Sequence, residues 1–237
     1  MNRVSTSVED FLKILYQLER NPSADVKSKA MADLLGISNA AITDMAKKLE
    51  KKGLVNYEKY KQLSLTDEGE RIAVTLIRKH RLWETLLHRL FDLDMREIHV
   101  EAEDLEHATS DLLAERISAY LGHPQYDPHG DPIPDSDGNI AHEEGVLLLS
   151  HVPKGRYEVV RIASSDHDFF QFCKDHHITL SARVEIVHHY EKMEAISMEV
   201  EGKSIVLPRA FANQVYVKSM EECVEEPTHN LEEKSVC

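Results

Sequence analysis

Two histidines and two glutamates stand close together in one stretch of this 237-residue chain. Glu103 follows His99 by four residues, and Glu106 and His107 follow Glu103 by three and four. At about 3.6 residues per turn, these intervals turn all four side chains toward one side of an α-helix. Converging imidazole and carboxylate groups are typical ligands of a divalent metal ion, and the absence of cysteine favours a borderline-hard ion. The alternative is a solvated acidic helix face, because three further acids lie in the same run.

A second pair of the same type precedes this stretch. His80 and Glu84 are four residues apart within a long predicted helix, Asp67 to about Leu90, for which Thr66 is the expected N-cap. This pair is a second candidate for metal binding. The alternative is a buried histidine with a surface acid beside it.

The helices that carry these residues form a predicted dimerisation domain, residues 67–122. Asp94 is the expected N-cap of the central helix, and Ser110 is that of a further helix ending at Leu121. The three helices carry more apolar surface than one small domain needs to bury. This surplus predicts a homodimer.

The N-terminal residues 1–66 have the pattern of a winged helix. Thr6 and Glu9 have the spacing of a capping box, and the helix that follows extends to about Arg20 with Asp10 in its first turn. Asp10 in that position is commonly a partner of the helix dipole. Two short helices, 27–35 and 39–52, are joined by a tight turn containing Gly36, as in a helix-turn-helix. Two β-rich runs, 54–57 and 62–65, then predict a hairpin, and the combination is more specific than either part.

The second of the two short helices presents a face suited to DNA. Small and hydrogen-bonding residues lie at its N-terminal end, which suits the major groove, and lysines farther along suit phosphates. The predicted DNA contacts on this face and in the hairpin are Ser38, Asn39, Ala40, Thr43, Lys47, Lys48 and Lys61.

The C-terminal part of the chain changes character. Residues 123–142 contain the segment HPQYDPHGDPIPDSDGN, whose proline, glycine and aspartate content predicts a linker. Short β-rich runs with turn signals then predict an SH3-like β-barrel over residues 143–218. The remainder, 219–237, is acidic and predicted to be disordered. The predicted fold class is therefore α+β and multidomain.

The distribution of charge and the spacing of the cysteines limit the class of protein and its cellular setting. The net charge is −14, but residues 1–79 hold 14 Lys+Arg against 11 Asp+Glu, while the rest of the chain has a balance of −17. This split suits a DNA-binding unit ahead of an acidic body, although ordinary solubility charge is an alternative. The three cysteines form no CxxC motif, which predicts a reducing, cytoplasmic setting. We expect no membrane segment, because no apolar run approaches the required length.

These features resemble the diphtheria-toxin-repressor family of metal-dependent transcriptional regulators, and more narrowly its manganese-responsive, three-domain members. The resemblance extends from about residue 5 to residue 217. It is carried by TSVEDFLKILYQLE, LLGISNAAITDMAKKLEKKGLV, LSLTDEGE, RKHRLWETLL, EAEDLEHATSD and HGDPIPDSDG. It implies a homodimeric repressor without enzymatic activity, which binds double-stranded operator DNA and controls metal-uptake genes.

The resemblance also implies the metal ligands. The implied primary site comprises Asp10, Glu103, Glu106 and His107. The implied ancillary site comprises His80, Glu84, His99 and, from the SH3-like domain, Asp166. Iron-responsive relatives have methionine where Asp10 stands and cysteine where Glu103 stands, so the two carboxylates favour Mn²⁺, with Fe²⁺, Zn²⁺ and Co²⁺ as alternatives. Lys13 stands where two-domain manganese regulators have glutamate, which argues against their closely spaced binuclear site.

The mechanism that follows is a metal-controlled hinge. We expect Asp10, Glu103 and Glu106 to repel one another without metal, so that the winged helix samples many orientations. A bound ion would join Asp10 to the central helix and fix two recognition helices about 34 Å apart across a dimer.

Three other functions share parts of this pattern. One is a winged-helix regulator that senses an organic ligand. Another is a di-metal oxidase, which needs two Glu-x-x-His motifs, whereas this stretch has only Glu103-x-x-Glu106-His107. The third is a structural DNA-binding protein in which the converging ligands have no role.

Overall fold

The computed structural model describes residues 4–20, 28–58, 62–141, 144–163 and 167–220. The chain divides into two compact units. One comprises Met1–Glu143 with Ala163–Phe170, and the other comprises Glu144–Ile162 with Gln171–Cys237. Each unit is described separately below.

The described part of the first unit is mainly helical. Its elements are α1 (Thr6–Arg20), α2 (Ser28–Leu35), α3 (Asn39–Lys51), β1 (Val55–Asn56), β2 (Ser64–Leu65), α4 (Asp67–Leu90), α5 (Met95–Ala108) and α6 (Asp111–Leu121). The two short strands pair antiparallel, with Val55 opposite Leu65. This order of elements confirms the predicted winged helix followed by a helical domain.

Helix starts follow the predicted caps closely. The hydroxyls of Ser38, Thr66 and Ser110 each accept a hydrogen bond from a first-turn backbone N–H of the helix that follows. Asp94 forms a capping box with Glu97 at the start of α5. These bonds satisfy backbone donors that have no partner inside the helix, which is why the four positions could be recognised from residue type alone.

The winged-helix core is built on the apolar stripe of α1. Phe11, Leu12 and Leu15 are fully buried there, together with residues of α2, α3 and the β1 strand. Gly69, in the first turn of α4, packs directly on the hairpin. A Cβ at this position would overlap the carbonyl oxygen of Leu54, so a larger residue would force α4 away from the core.

Helix α4 belongs to two cores at once. Over its 24 residues, a length of about 36 Å, its first half contributes Ala73 and Ile77 to the winged-helix core. Its second half packs Leu82 against α6 and Leu87 against Ile98 of α5. A single continuous helix thereby holds α1 and α5 at fixed positions around its middle, where the candidate ligands lie.

The segment predicted as a linker, 123–142, instead packs on α4 over its described residues. Ile133 is buried in the core formed with Leu82 and α6. The guanidinium groups of Arg78 and Arg81 donate to the carbonyl oxygens of Pro134 and Pro132. Its Pro/Gly/Asp composition indicated turns correctly, but apolar and carbonyl contacts to α4 make the segment part of the first unit.

The second unit is a six-stranded antiparallel sheet with strand order β3-β8-β4-β5-β6-β7. The strands are β3 (Val146–Leu148), β4 (Gly155–Ile162), β5 (Arg183–Tyr190), β6 (Ala195–Val200), β7 (Lys203–Pro208) and β8 (Val215–Ser219). The second unit also contains a 3-10 turn (Glu191–Met193) and α8 (Arg209–Ala212). Helix α7 (His167–Asp175) is divided between the two units, with its residues up to Phe170 in the first unit. All six strands fall on β-rich runs predicted for the SH3-like domain. The tail predicted to be disordered was 219–237, but Ser219 is the last residue of β8; residues 221–237 lie outside the described residues.

No helix among the described residues is long and apolar enough to cross a membrane.

Candidate metal centre

Two groups of nitrogen and oxygen donors meet where α1, α4 and α5 pack together. The first, here called the α1–α5 cluster, comprises Asp10, Glu106 and His107. Oδ1 of Asp10 lies 2.9 Å from Nε2 of His107, and Oε1 of Glu106 lies 3.5 Å from the same nitrogen. Glu106 is fully buried. The cluster therefore joins the N-terminal half of α1, in the winged helix, to the last turn of α5.

Burial and neighbouring charges shift the pKa of Asp10 in the α1–α5 cluster. Desolvation raises the pKa of Asp10 above its usual value, and His107 opposes that rise. Glu103 and Glu106 raise it further. A cation beside Asp10 would stabilise its ionised carboxylate, and so offset both the cost of burying that charge and its repulsion by Glu103 and Glu106.

Glu9 supports this cluster from behind. Its Oε2 lies 2.7 Å from Nδ1 of His107, on the other side of the ring from Asp10. A carboxylate that accepts from one ring nitrogen directs the other nitrogen toward a metal and raises its basicity. The spacing of Thr6 and Glu9 predicted a capping box at the start of α1. In the structure, Thr6 is instead the first residue of the helix, and the Glu9 carboxylate contacts His107 of α5.

The second group, the α4–α5 cluster, comprises His80, Glu84 and His99. Oε1 of Glu84 lies 3.0 Å from Nε2 of His80 and 3.1 Å from Nδ1 of His99. The two ring nitrogens are 3.2 Å apart. Donors about 3 Å apart match adjacent positions around an octahedral ion with bonds of about 2.1 Å, and the N/O set suits a divalent ion. The three residues therefore fit a metal ion by both spacing and chemistry.

The electrostatics of the α4–α5 cluster are strongly coupled. Burial opposes protonation of His80, but the carboxylates of Glu84 and Glu106 outweigh it and raise the pKa of His80 to about 9. Burial alone would raise the pKa of Glu84, yet His80 and the neighbouring imidazoles hold it well below its usual range. Glu84 is thus an anion in a site that is almost closed to water, a setting that favours a cation.

Glu103 lies between the two clusters. Its Oε1 is 3.7 Å from Nε2 of His99 and 3.9 Å from Nδ1 of His80, and these three residues also form a group that could hold a metal ion. The resemblance had implied Glu103 as a ligand beside Asp10. The structure brings Glu103 into contact with the histidines of the other cluster, and with Lys13 at 2.8 Å.

His129 is a candidate that the sequence did not reveal. It lies in the Pro/Gly/Asp-rich segment, is 6 % exposed, and its Nε2 lies 3.4 Å from Oε1 of Glu84. Neither of its ring nitrogens has a hydrogen-bond partner within the described part of the chain. Burial opposes protonation, but Glu84 raises the pKa of His129. The only sequence signal was a histidine among turn residues, which does not indicate a ligand.

The remaining predicted ligand, Asp166, lies outside the described residues.

Most of the predicted DNA-binding residues lie on α3 or at its N-cap and are exposed. Ser38, Asn39 and Ala40 are exposed at its start, and Lys47 and Lys48 are exposed farther along. Thr43 is half-buried, and its hydroxyl donates to the carbonyl oxygen of Asn39. Lys61 lies outside the described residues.

A winged helix whose first helix, α1, brings Asp10 beside Glu106 and His107 of a second, helical domain is the arrangement expected of a metal-dependent DNA-binding regulator. Comparison with protein families agrees over most of the chain. Residues 3–63 match the N-terminal DNA-binding domain of iron dependent repressors, and residues 66–135 match their metal binding and dimerisation domain. Residues 147–219 match the FeoA domain. The chain belongs to the iron-dependent repressor family, which includes the diphtheria toxin repressor, so the resemblance found in the sequence is confirmed.

Individual relatives are transcriptional regulators. An uncharacterized HTH-type transcriptional regulator of Methanocaldococcus jannaschii is 36 % identical, over 50 % of this chain and 94 % of its own length. The iron-dependent repressor IdeR of Mycobacterium bovis is 26 % identical, over 93 % of this chain and 100 % of its own. Among solved structures, a manganese-dependent transcriptional repressor in complex with manganese has a TM-score of 0.80 and 33 % identity, covering 90 % of this chain and 100 % of its own. The protein is a metal-dependent repressor and not an enzyme.

Proposed function

We propose that this protein is a manganese-dependent repressor. In this proposal, Mn²⁺ bound at the α1–α5 cluster orients the winged helices of a homodimer for binding to operator DNA. The observation that carries the proposal is the meeting of Asp10 on α1 with Glu106 and His107 on α5. The operator would control genes of metal uptake.

The donor chemistry supports manganese over iron. Carboxylate oxygens at Asp10 and Glu106, with one imidazole, suit an ion that prefers oxygen and nitrogen to sulfur. The similar structure of a manganese-dependent repressor points the same way, whereas several curated relatives are iron-dependent. Zinc and cobalt are expected to bind more tightly in a purified sample, because affinity follows the Irving–Williams order.

The positions of the ligands explain how metal binding would affect the DNA-binding face of α3. Asp10 lies on α1, whose apolar stripe is continuous with the core that holds α3. Glu106 and His107 lie on α5, which packs on the second half of α4. A bound divalent ion would supply two positive charges that attract ligands on both α1 and α5. Asp10 would then be held against α5, and the exposed face of α3 would keep one orientation.

Exposed apolar residues support the homodimer. On α6, Leu112 is 70 % exposed and Tyr120 is 64 % exposed. Phe91 and Val100, near the junction of α4 and α5, are more than half exposed. Large apolar side chains exposed in this number are typical of a protein interface. We therefore place the dimer contact on these helices.

The test is a titration of operator binding with Mn²⁺, Fe²⁺ and Zn²⁺ after treatment with a chelator. We expect no specific binding without metal and recovery with Mn²⁺. The DNA is obtained by selecting sequences from a random library in the presence of Mn²⁺. Specific DNA binding that persists in excess chelator would overturn the proposal and favour a regulator that senses another ligand.

A further inference from the structure

Lys13 places a positive charge between the two clusters, and the proposed function does not use it. Its side chain is 7 % exposed, and Nζ lies 2.8 Å from Oε1 of Glu103. The same nitrogen lies 2.8 and 2.9 Å from the two carboxylate oxygens of Glu106. It also lies 3.5 Å from Nδ1 of His80. One ammonium group therefore contacts a residue of each cluster and the glutamate between them.

We propose that Lys13 is a tethered cation that competes with the metal ions for Glu103 and Glu106, and so lowers the affinity of the centre for Mn²⁺. The inference rests on the proposed function and adds a residue that sets its metal sensitivity. A weaker centre responds only at a higher concentration of free metal.

The position of Lys13 explains why the competition is direct. It lies one helical turn after Asp10 on α1, so its ammonium enters the centre from the same side as a predicted ligand. Lys13 donates to both carboxylate oxygens of Glu106. One of these oxygens, Oε1, is also the atom that faces His107 and would bind a metal ion in the α1–α5 cluster. Any ion that binds Glu106 must share this carboxylate with the ammonium or displace it.

Like charges separated by a few ångströms repel appreciably at the effective dielectric of a protein interior. Lys13 therefore opposes a divalent ion in either cluster even where it does not share a ligand. In return, it helps to neutralise the buried carboxylate of Glu106, together with His80, whose Nδ1 lies 2.6 Å from Oε2 of Glu106. The acids expected to repel one another are thus partly compensated by the chain itself, and α1 has a link to α5 besides the one through metal.

The experiment measures Mn²⁺ binding to the full chain by calorimetry, after chelator treatment, for the wild type and for Lys13→Met, Lys13→Gln and Lys13→Arg. We expect Lys13→Met and Lys13→Gln to bind Mn²⁺ about tenfold more tightly or better, because a repelling charge is removed. We expect Lys13→Arg to keep the wild-type affinity. Lys79→Met is the matched control, because Lys79 pairs with Asp111 at 2.8 Å outside both clusters.

Thermal unfolding gives a second measurement. Without metal, Lys13→Met should unfold at a lower temperature than the wild type, and Mn²⁺ should raise its Tm by more, since tighter ligand binding stabilises the folded state further. A Lys13→Met protein that folds only with Mn²⁺ also supports the inference. If Lys13→Met does not fold under either condition, Lys13→Gln must show the gain in affinity.

Two results separate failure of the inference from failure of the proposed function. If the wild type binds Mn²⁺ and the neutral Lys13 variants bind it no more tightly than Lys79→Met does, the inference is wrong and the proposed function stands. If neither the wild type nor the variants bind Mn²⁺, the proposed function is wrong and the inference fails with it.

Discussion

Oδ1 of Asp10 lies 2.9 Å from Nε2 of His107, a contact that joins the winged helix to the helical domain. The two residues lie on α1 and α5, far apart in sequence, and are brought together because both helices pack on α4. The same histidine contacts Glu9 through Nδ1. A metal ion bound between Asp10 and His107 would therefore change the contact between the helical domain and the DNA-binding unit.

Glu9→Gln should weaken Mn²⁺ binding at the α1–α5 cluster by roughly 10- to 100-fold, the usual effect of losing a carboxylate that orients a histidine ligand. The substitution keeps the shape of the side chain but removes the charge that directs the His107 ring. Calorimetry measures the affinity, with Glu101→Gln, an exposed acid on α5, as the control. Equal affinity in Glu9→Gln and the wild type would mean that Glu9 does not position His107.

His129→Ala should weaken metal binding at the α4–α5 cluster and leave the α1–α5 cluster unchanged. Nε2 of His129 faces Oε1 of Glu84 inside a buried site, so its loss removes a group that positions or assists that carboxylate. A loss of roughly 10-fold or more is expected for one of two binding steps, while the other keeps its affinity. His88→Ala, an exposed histidine on α4, is the control. Two unchanged binding steps would show that His129 has only a packing role.

Local signals explain how much of the fold could be predicted. The starts of α3, α4, α5 and α6 were recognisable because a capping side chain lies within three residues of the backbone it serves. The apolar stripe of α1 and the strands of the second unit follow from periodicity in the same way. The same spacing placed His80 with Glu84 on one helix and His99 with Glu103 on another, whereas the grouping of His80, Glu84 and His99 was implied only by the resemblance to the family.

Interactions across long stretches of sequence explain what could not be predicted. Glu9 is 98 residues from its partner His107, and the spacing of Thr6 and Glu9 fitted a local cap equally well. His129 lies among turn residues, and its burial depends on how that segment packs on α4. Lys13 was recognised as incompatible with a closely spaced binuclear site, but its pairing with Glu103 and Glu106 required the position of α5.

Glu103→Cys should broaden the metal response toward Fe²⁺, Co²⁺ and Zn²⁺, because a thiolate is a softer ligand than a carboxylate. Glu103 also contacts Lys13 and two histidines, so Glu103→Gln is measured beside it to separate loss of charge from gain of sulfur. Operator binding is compared across the metals. An unchanged order of metals in Glu103→Cys would count against the argument from donor hardness.

Lys47→Ala and Lys48→Ala should each lower DNA affinity and flatten its dependence on salt. Both lysines are exposed on α3, and removing a charge that neutralises one phosphate should reduce the slope of log K against log salt by about 0.9. Fluorescence anisotropy at several salt concentrations measures the slope. Lys79→Ala should keep the wild-type slope, and parallel lines for all four proteins would argue that α3 does not bind phosphates.

The most direct test of the account compares operator binding by the wild type, Asp10→Ala and Asp104→Ala as Mn²⁺ is added to chelator-treated protein. Asp104 is an exposed acid on α5 and serves as the control. We predict that Mn²⁺ stimulates binding in the wild type and in Asp104→Ala. Asp10→Ala should remain folded, by circular dichroism, and show no stimulation. Wild-type stimulation in Asp10→Ala would contradict the claim that metal acts by joining α1 to α5.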